Sequence, residues 1–192
     1  MSKNRPLRPG DPNSRPSLRP PSGPAGRGRA PEHPDAGQPA HSRISLKELD
    51  PGRFELVHPA CVARLWDDYQ EALDAWRQGE PEEARDMLRF ALEGCGDHLW
   101  VHCALGQIAL ELEKDPSLAK GHFGYAYELI ERAIPRGFKG LLSPDCHGNQ
   151  PLYQAIDGLI RCALAAGHAG EVAELKRVQA SLSGRSATGR SS

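Results

Sequence analysis

Six runs of apolar residues at steps of three and four, each closed by glycine or proline, dominate the chain from Leu56 onward. Val62, Leu65, Trp66, Tyr69, Leu73 and Trp76 mark one face of a helix that Gly79 stops. Pro81, followed by Glu82 and Glu83, suits the first turn of a second helix. There proline forfeits no hydrogen bond, and acids meet the positive end of the helix dipole. This helix carries Ala84, Leu88, Ala91 and Leu92 and ends at Gly94 or Gly96. Asp97 is the expected N-cap of a third, which bears Leu105, Ile108, Ala109 and Leu112. Asp115-Pro116 turns into a fourth at about 117–134, and Pro135 ends it. A fifth spans about 151–166, and a sixth begins at Glu171 beyond a turn bracketed by Gly167 and Gly170. Helices joined by turns of two to four residues must pack antiparallel. No segment shows the period-two alternation of an exposed strand. The expected fold is therefore all-α, an antiparallel helix-hairpin stack of about three pairs over residues 46–183.

The second and fourth helices share a register. Ala84 is followed at +4, +7 and +8 by Leu88, Ala91 and Leu92; Ala119 is followed at the same steps by Phe123, Ala126 and Tyr127. The two alanines stand 35 residues apart. Leu105-Gly106 precedes Ala119, and Gly79 precedes Ala84 by five positions. This pattern resembles the tetratricopeptide repeat, an α-solenoid family with a period of about 34. A small side chain lets two helices approach, and the bulky one fills the adjoining groove. The resemblance covers residues 62–134. The last pair fits it poorly, as a terminal cap would. Another helix-hairpin array or a bundle is the alternative.

Residues 1–45 hold almost no core-forming side chains, and Pro, Gly, Ser and Arg dominate them. They are expected to form a disordered tail, partly polyproline II. PxxP spacings at Pro6–Pro9, Pro21–Pro24 and Pro31–Pro34 follow from that composition. Residues 184–192 are expected to be a second disordered end. The tail holds eight Lys/Arg and three Asp/Glu, while residues 46–183 hold fourteen basic and twenty-two acidic residues. A basic arm thus leads an acidic body. The five cysteines are odd in number and irregular in spacing, and no CxxC occurs. They read as free thiols of a reducing compartment. With no apolar run fit for a signal peptide or a membrane span, the expectation is a soluble cytoplasmic protein.

Two constellations could carry chemistry. Cys95, His98 and His102 suggest metal ligands, since the histidines are i, i+4 and the cysteine lies one turn earlier; a fourth ligand is not evident in sequence. Cys146-His147 beside Asp145 resembles pieces of a thiol site, although adjacent residues seldom aim at one another. No phosphate-cradling glycine loop, HExxH or GxSxG is present. The expectation is a protein without catalytic, cofactor or metal residues. Phe138, Leu141 and Leu142 of the long 135–149 loop are expected to cover the edge of the stack.

In the resembled family the first helix of each pair lines a concave groove that holds partner peptides. Here that would assign Trp66, Tyr69, Trp76 and Arg77, then Trp100, Gln107 and Glu111, to a protein or peptide partner. The aromatics among them could equally fill core. The resemblance implies an adaptor or scaffold. No small-molecule substrate is evident in the sequence, and no membrane contact is expected. The alternative is a nucleic-acid-associated protein that works through the basic tail. Steeply salt-dependent binding, lost on removal of residues 1–43, would mark it. A metal or thiol enzyme is the third reading.

Overall fold

A computed structural model of the chain describes residues 43–184. The expected tail up to residue 42, with its PxxP spacings, and the end from residue 185 lie outside the described residues. The described part is mostly helical, with seven α-helices and one two-stranded sheet. The sheet corrects the all-α expectation. Strand β1 (Ser45–Asp50) pairs antiparallel with β2 (Arg53–Val57), setting Leu46 opposite Leu56 and Glu48 opposite Phe54. Pro51-Gly52 makes the turn, with Gly52 at φ +76°. Ile44, Leu46, Phe54 and Leu56 turn one side of this hairpin to the core. β1 with the preceding Ile44, and β2, each supply only two alternating apolar positions, too few to stand out from a helical pattern.

The helices follow as α1 (Ala60–Arg64), α2 (Trp66–Arg77), α3 (Pro81–Gly94), α4 (Leu99–Glu111), α5 (Pro116–Ala133), α6 (Gln150–Ala165) and α7 (Ala169–Ser183). The first helix expected from the sequence is thus two, broken at Leu65. From α2 onward each packs on its successor, and α4 also packs on α6. Asp115 caps α5, its carboxylate accepting from the Ser117 and Leu118 N–H groups at 3.0 Å. The cap of α4 is His98 rather than the expected Asp97.

Two apolar clusters form the interior. One lies among α1–α4, the other among the hairpin and α4–α7. Helix α4 belongs to both: Trp100, Ala104 and Leu105 enter the first, Leu99 and Cys103 the second. Its sequence, LWVHCALGQIALE, is apolar on nearly every side, as a helix enclosed by others must be. The shared register is buried throughout: Ala84, Leu88 and Ala91 on α3, and Ala119, Phe123 and Ala126 on α5, are at most 2 % exposed. Phe123 lies between two glycines. A Cβ at Gly106 of α4 would come within 2.8 Å of its ring, and one at Gly158 of α6 within 2.5 Å.

The 135–149 loop covers the stack, as its apolar residues suggest. Leu142 is fully buried, and Phe138 meets Phe54 edge-on at 5.1 Å. Phe54 N–H donates to Leu141 O at 2.8 Å, and Leu142 N–H to Leu182 O at 2.8 Å. A 3₁₀ turn (His147–Asn149) leads into α6. There the Asn149 side chain accepts from Leu56 N–H at 2.9 Å and donates to Phe54 O and Ser143 O, both at 3.0 Å. One buried amide thus ties the hairpin, the loop and α6. No helix of the described residues is long and apolar enough to cross a membrane.

Urea unfolding followed by circular dichroism checks the glycine notch. Phe123→Ala should cost about 3–5 kcal/mol through the cavity it leaves. Gly158→Ala should cost about 1–3 kcal/mol by overpacking. Gly121→Ala, in open space on α5, should instead raise stability by about 0.5–1 kcal/mol.

Candidate functional site

The residues assigned to a partner face divide into two groups. Trp66 on α2 stands 5.3 Å from Tyr69 and 5.3 Å from Trp100 of α4, ring centre to ring centre. Tyr69 is 7 % exposed and Trp100 4 %. These three form one aromatic cluster in the α1–α4 core, so Tyr69 and Trp100 offer almost no area to a partner. Trp76 is half-buried at the edge of the same core. Arg77, Gln107 and Glu111 are exposed. Arg77 pairs with Asp74 one turn earlier, and Glu111 with Arg161 of α6 at 3.3 Å. Pairs this exposed contribute roughly 0–1 kcal/mol and separate easily.

Imidazoles surround Trp100. His58, in the turn after β2, lies 4.3 Å from the indole, and His147 stacks on it at 5.3 Å. His58 Nε2 donates to Gly148 O at 2.8 Å. Burial lowers its pKa below 6.5, and the neighbouring His147 acts in the same direction. His98 is fully buried, with its ring 5.6 Å from Tyr69 and 6.1 Å from Trp100. Burial first, and then His58, hold its pKa at about 4. His58 Nδ1 and His98 Nε2 are buried without a hydrogen-bond partner. His58 carries no signal in the sequence, and His147 stands out there only beside Cys146, because their contacts with the indole reach across 42 and 47 residues.

The structure breaks up the metal constellation read from the sequence. Cys95 forms a disulfide with Cys61, which also corrects the expectation of five free thiols. Cys103, Cys146 and Cys162 remain free. His102 bonds elsewhere: its Nε2 donates to Gly96 O at 2.9 Å, and its ring packs 4.7 Å from Tyr125. With the disulfide closed, the described residues hold no group of three or more His, Cys, Asp or Glu able to bind a metal ion. The thiol constellation does not assemble. His147 stacks on Trp100, and Asp145 accepts from the Ser143 hydroxyl at 3.2 Å. The Cys103 thiol is buried against Pro151 O, and burial pushes its pKa far up, away from reactivity.

His102 and His122 make a second imidazole contact between α4 and α5, Nδ1 to Nδ1 at 3.5 Å. With the His102 proton on Nε2, its Nδ1 accepts from His122 Nδ1–H. Protonating His102 would set two N–H groups face to face. Burial chiefly lowers both pKa values below 6.5. The unfolded chain then binds more protons than the folded one at mildly acidic pH. The stability these residues confer is complete above about pH 6.5 and is lost as the pH falls toward their native values. Urea midpoints between pH 7.5 and 4.5 should drop along this limb, and His122→Gln should make it shallower while His58, His98 and His102 keep the rest.

No family model, curated protein or solved structure matches this chain.

Proposed function

We propose that the chain is a non-enzymatic interaction module, its hairpins stacked in the manner of tetratricopeptide repeats, that binds a peptide or protein segment across α2 and α4. The observation that carries this reading is the accessible set Trp76, Arg77, Gln107 and Glu111. These four keep accessible area on two helices where Tyr69 and Trp100 are buried and Trp66 is half-buried against them. Tryptophan and arginine are the side chains that most often dominate the energy of protein interfaces. Glu111 and Arg161 of α6 form an exposed pair and can exchange it for a partner's groups. The buried Ala-bulky-Ala register on α3 and α5 supports the repeat-like stacking.

Full-length protein immobilised as bait tests this. Trp76→Ala and the double variant Arg77→Ala/Glu111→Lys should each retain at least about 10-fold less partner from cell extract, as the loss of an interface hot spot implies. Phe90→Ser, on the α3 surface at 68 % exposure, should retain it fully. Equal retention by all variants, or no partner, counts against the reading.

A further inference from the structure

His58-Pro59-Ala60-Cys61 and Cys95-Gly96-Asp97-His98 are two tetrapeptides of mirrored order. Each sets a cysteine and a histidine three positions apart. Tight turns run through both: Val62 N–H donates to Pro59 O at 3.0 Å, and His98 N–H to Cys95 O at 3.1 Å. The α2–α3 hairpin folds the two segments together, leaving the Cys61 and Cys95 Cα atoms 5.6 Å apart. Both imidazoles lie against the same Trp100 ring. We propose that, when the disulfide is reduced, His58, Cys61, Cys95 and His98 form a tetrahedral structural site for one zinc ion.

The two unpartnered nitrogens carry the argument. A buried polar atom without a hydrogen bond loses its water and gains nothing in return. The described residues hold only three such side-chain atoms, and two are His58 Nδ1 and His98 Nε2. The His58 tautomer suits a ligand. Its Nε2–H is committed to Gly148 O, which leaves the Nδ1 lone pair bare. Zinc-bound histidines characteristically donate their other N–H to a carbonyl in this way. His98 Nδ1 accepts from Val101 N–H at 3.4 Å, so without metal the imidazole proton sits on Nε2. Zinc binding at Nε2 would move that proton to Nδ1 and release the long cap bond, while Val101 N–H keeps His98 O at 3.0 Å.

The donor set fits zinc. Two thiolates and two imidazoles are a standard structural combination, and soft sulfur donors select against magnesium and calcium. Two thiolates cancel the charge of the ion, so the site places no net charge in the apolar α1–α4 core. The reaction balances in two steps. A dithiol reductant delivers two electrons and two protons, the S–S bond breaks, and the reductant leaves as its own disulfide. Each thiol then releases one proton to solvent as its sulfur bonds zinc, two protons per ion.

The probe is the metal alone, added to dithiol-reduced full-length protein without oxygen. Cobalt(II) should bind at one equivalent with thiolate-to-cobalt charge-transfer absorption and the intense visible bands of tetrahedral cobalt, and zinc should displace it. X-ray absorption of the zinc form should find two sulfurs at about 2.3 Å and two nitrogens at about 2.0–2.1 Å. The oxidised protein should show neither. Cys61→Ser and Cys95→Ser should abolish the two-thiolate signature. His58→Gln and His98→Gln should weaken zinc binding by more than the roughly 10–100-fold that a lost outer partner costs. His102→Gln and Cys146→Ser should bind as the parent does. The X-ray absorption of the unmutated protein needs no variant to fold. No charge-transfer band after reduction, an oxygen-dominated shell, or binding that follows His102 or Cys146 overturns the proposal. The outcome is independent of whether a protein partner is found.

Discussion

The ring of Phe123 occupies space that β-carbons at Gly106 and Gly158 would otherwise claim. Only because both positions are glycine can α4, α5 and α6 close around one aromatic side chain. That closure draws α4 inward until it is covered on almost every side. The remaining helices then have fixed places. The buried alanines of α2 and α3 bring that hairpin against one flank of α4, and α7 rests on α6. Hydrophobic burial supplies the driving force, but the two missing side chains decide which helices receive it.

The helical part was legible in the sequence because its signal is local. Ala84 and Ala119 announce close approach, Leu105-Gly106 marks the notch, and Asp115-Pro116 and Gly167 fix the turns. The hairpin was not legible in this way. Its four inward residues match no long period, and its latch is Asn149, more than ninety residues from its partners Phe54 and Leu56. A polar side chain buried at such a distance gives no pattern in the sequence around it. Yet Asn149 satisfies three backbone groups at once, and that makes its burial favourable.

The candidate site was legible by residue type more than by position. Trp66, Tyr69 and Trp100 were marked by helical spacing, which is the same for a core aromatic and a groove aromatic; only the packing of α4 separates the two. Cys61 and Cys95 looked irregular because local spacing was the yardstick. Their separation of 34 residues spans the α2–α3 hairpin, which returns the chain to where it began. Residues on either side of a helical hairpin meet at its open end, and counted so, the pair was readable. His58 was invisible because it follows a strand that was itself unseen.

The place of α4 in both clusters bears on how this molecule can vary. Arrays whose units touch only their neighbours lengthen or shorten by whole repeats. Here the two halves of the interior share a wall. A cut or an inserted repeat at α4 would expose both clusters to water together. Among the described residues the two clusters are therefore one unit, in which surface side chains can be exchanged freely but an insertion or deletion at α4 cannot be absorbed.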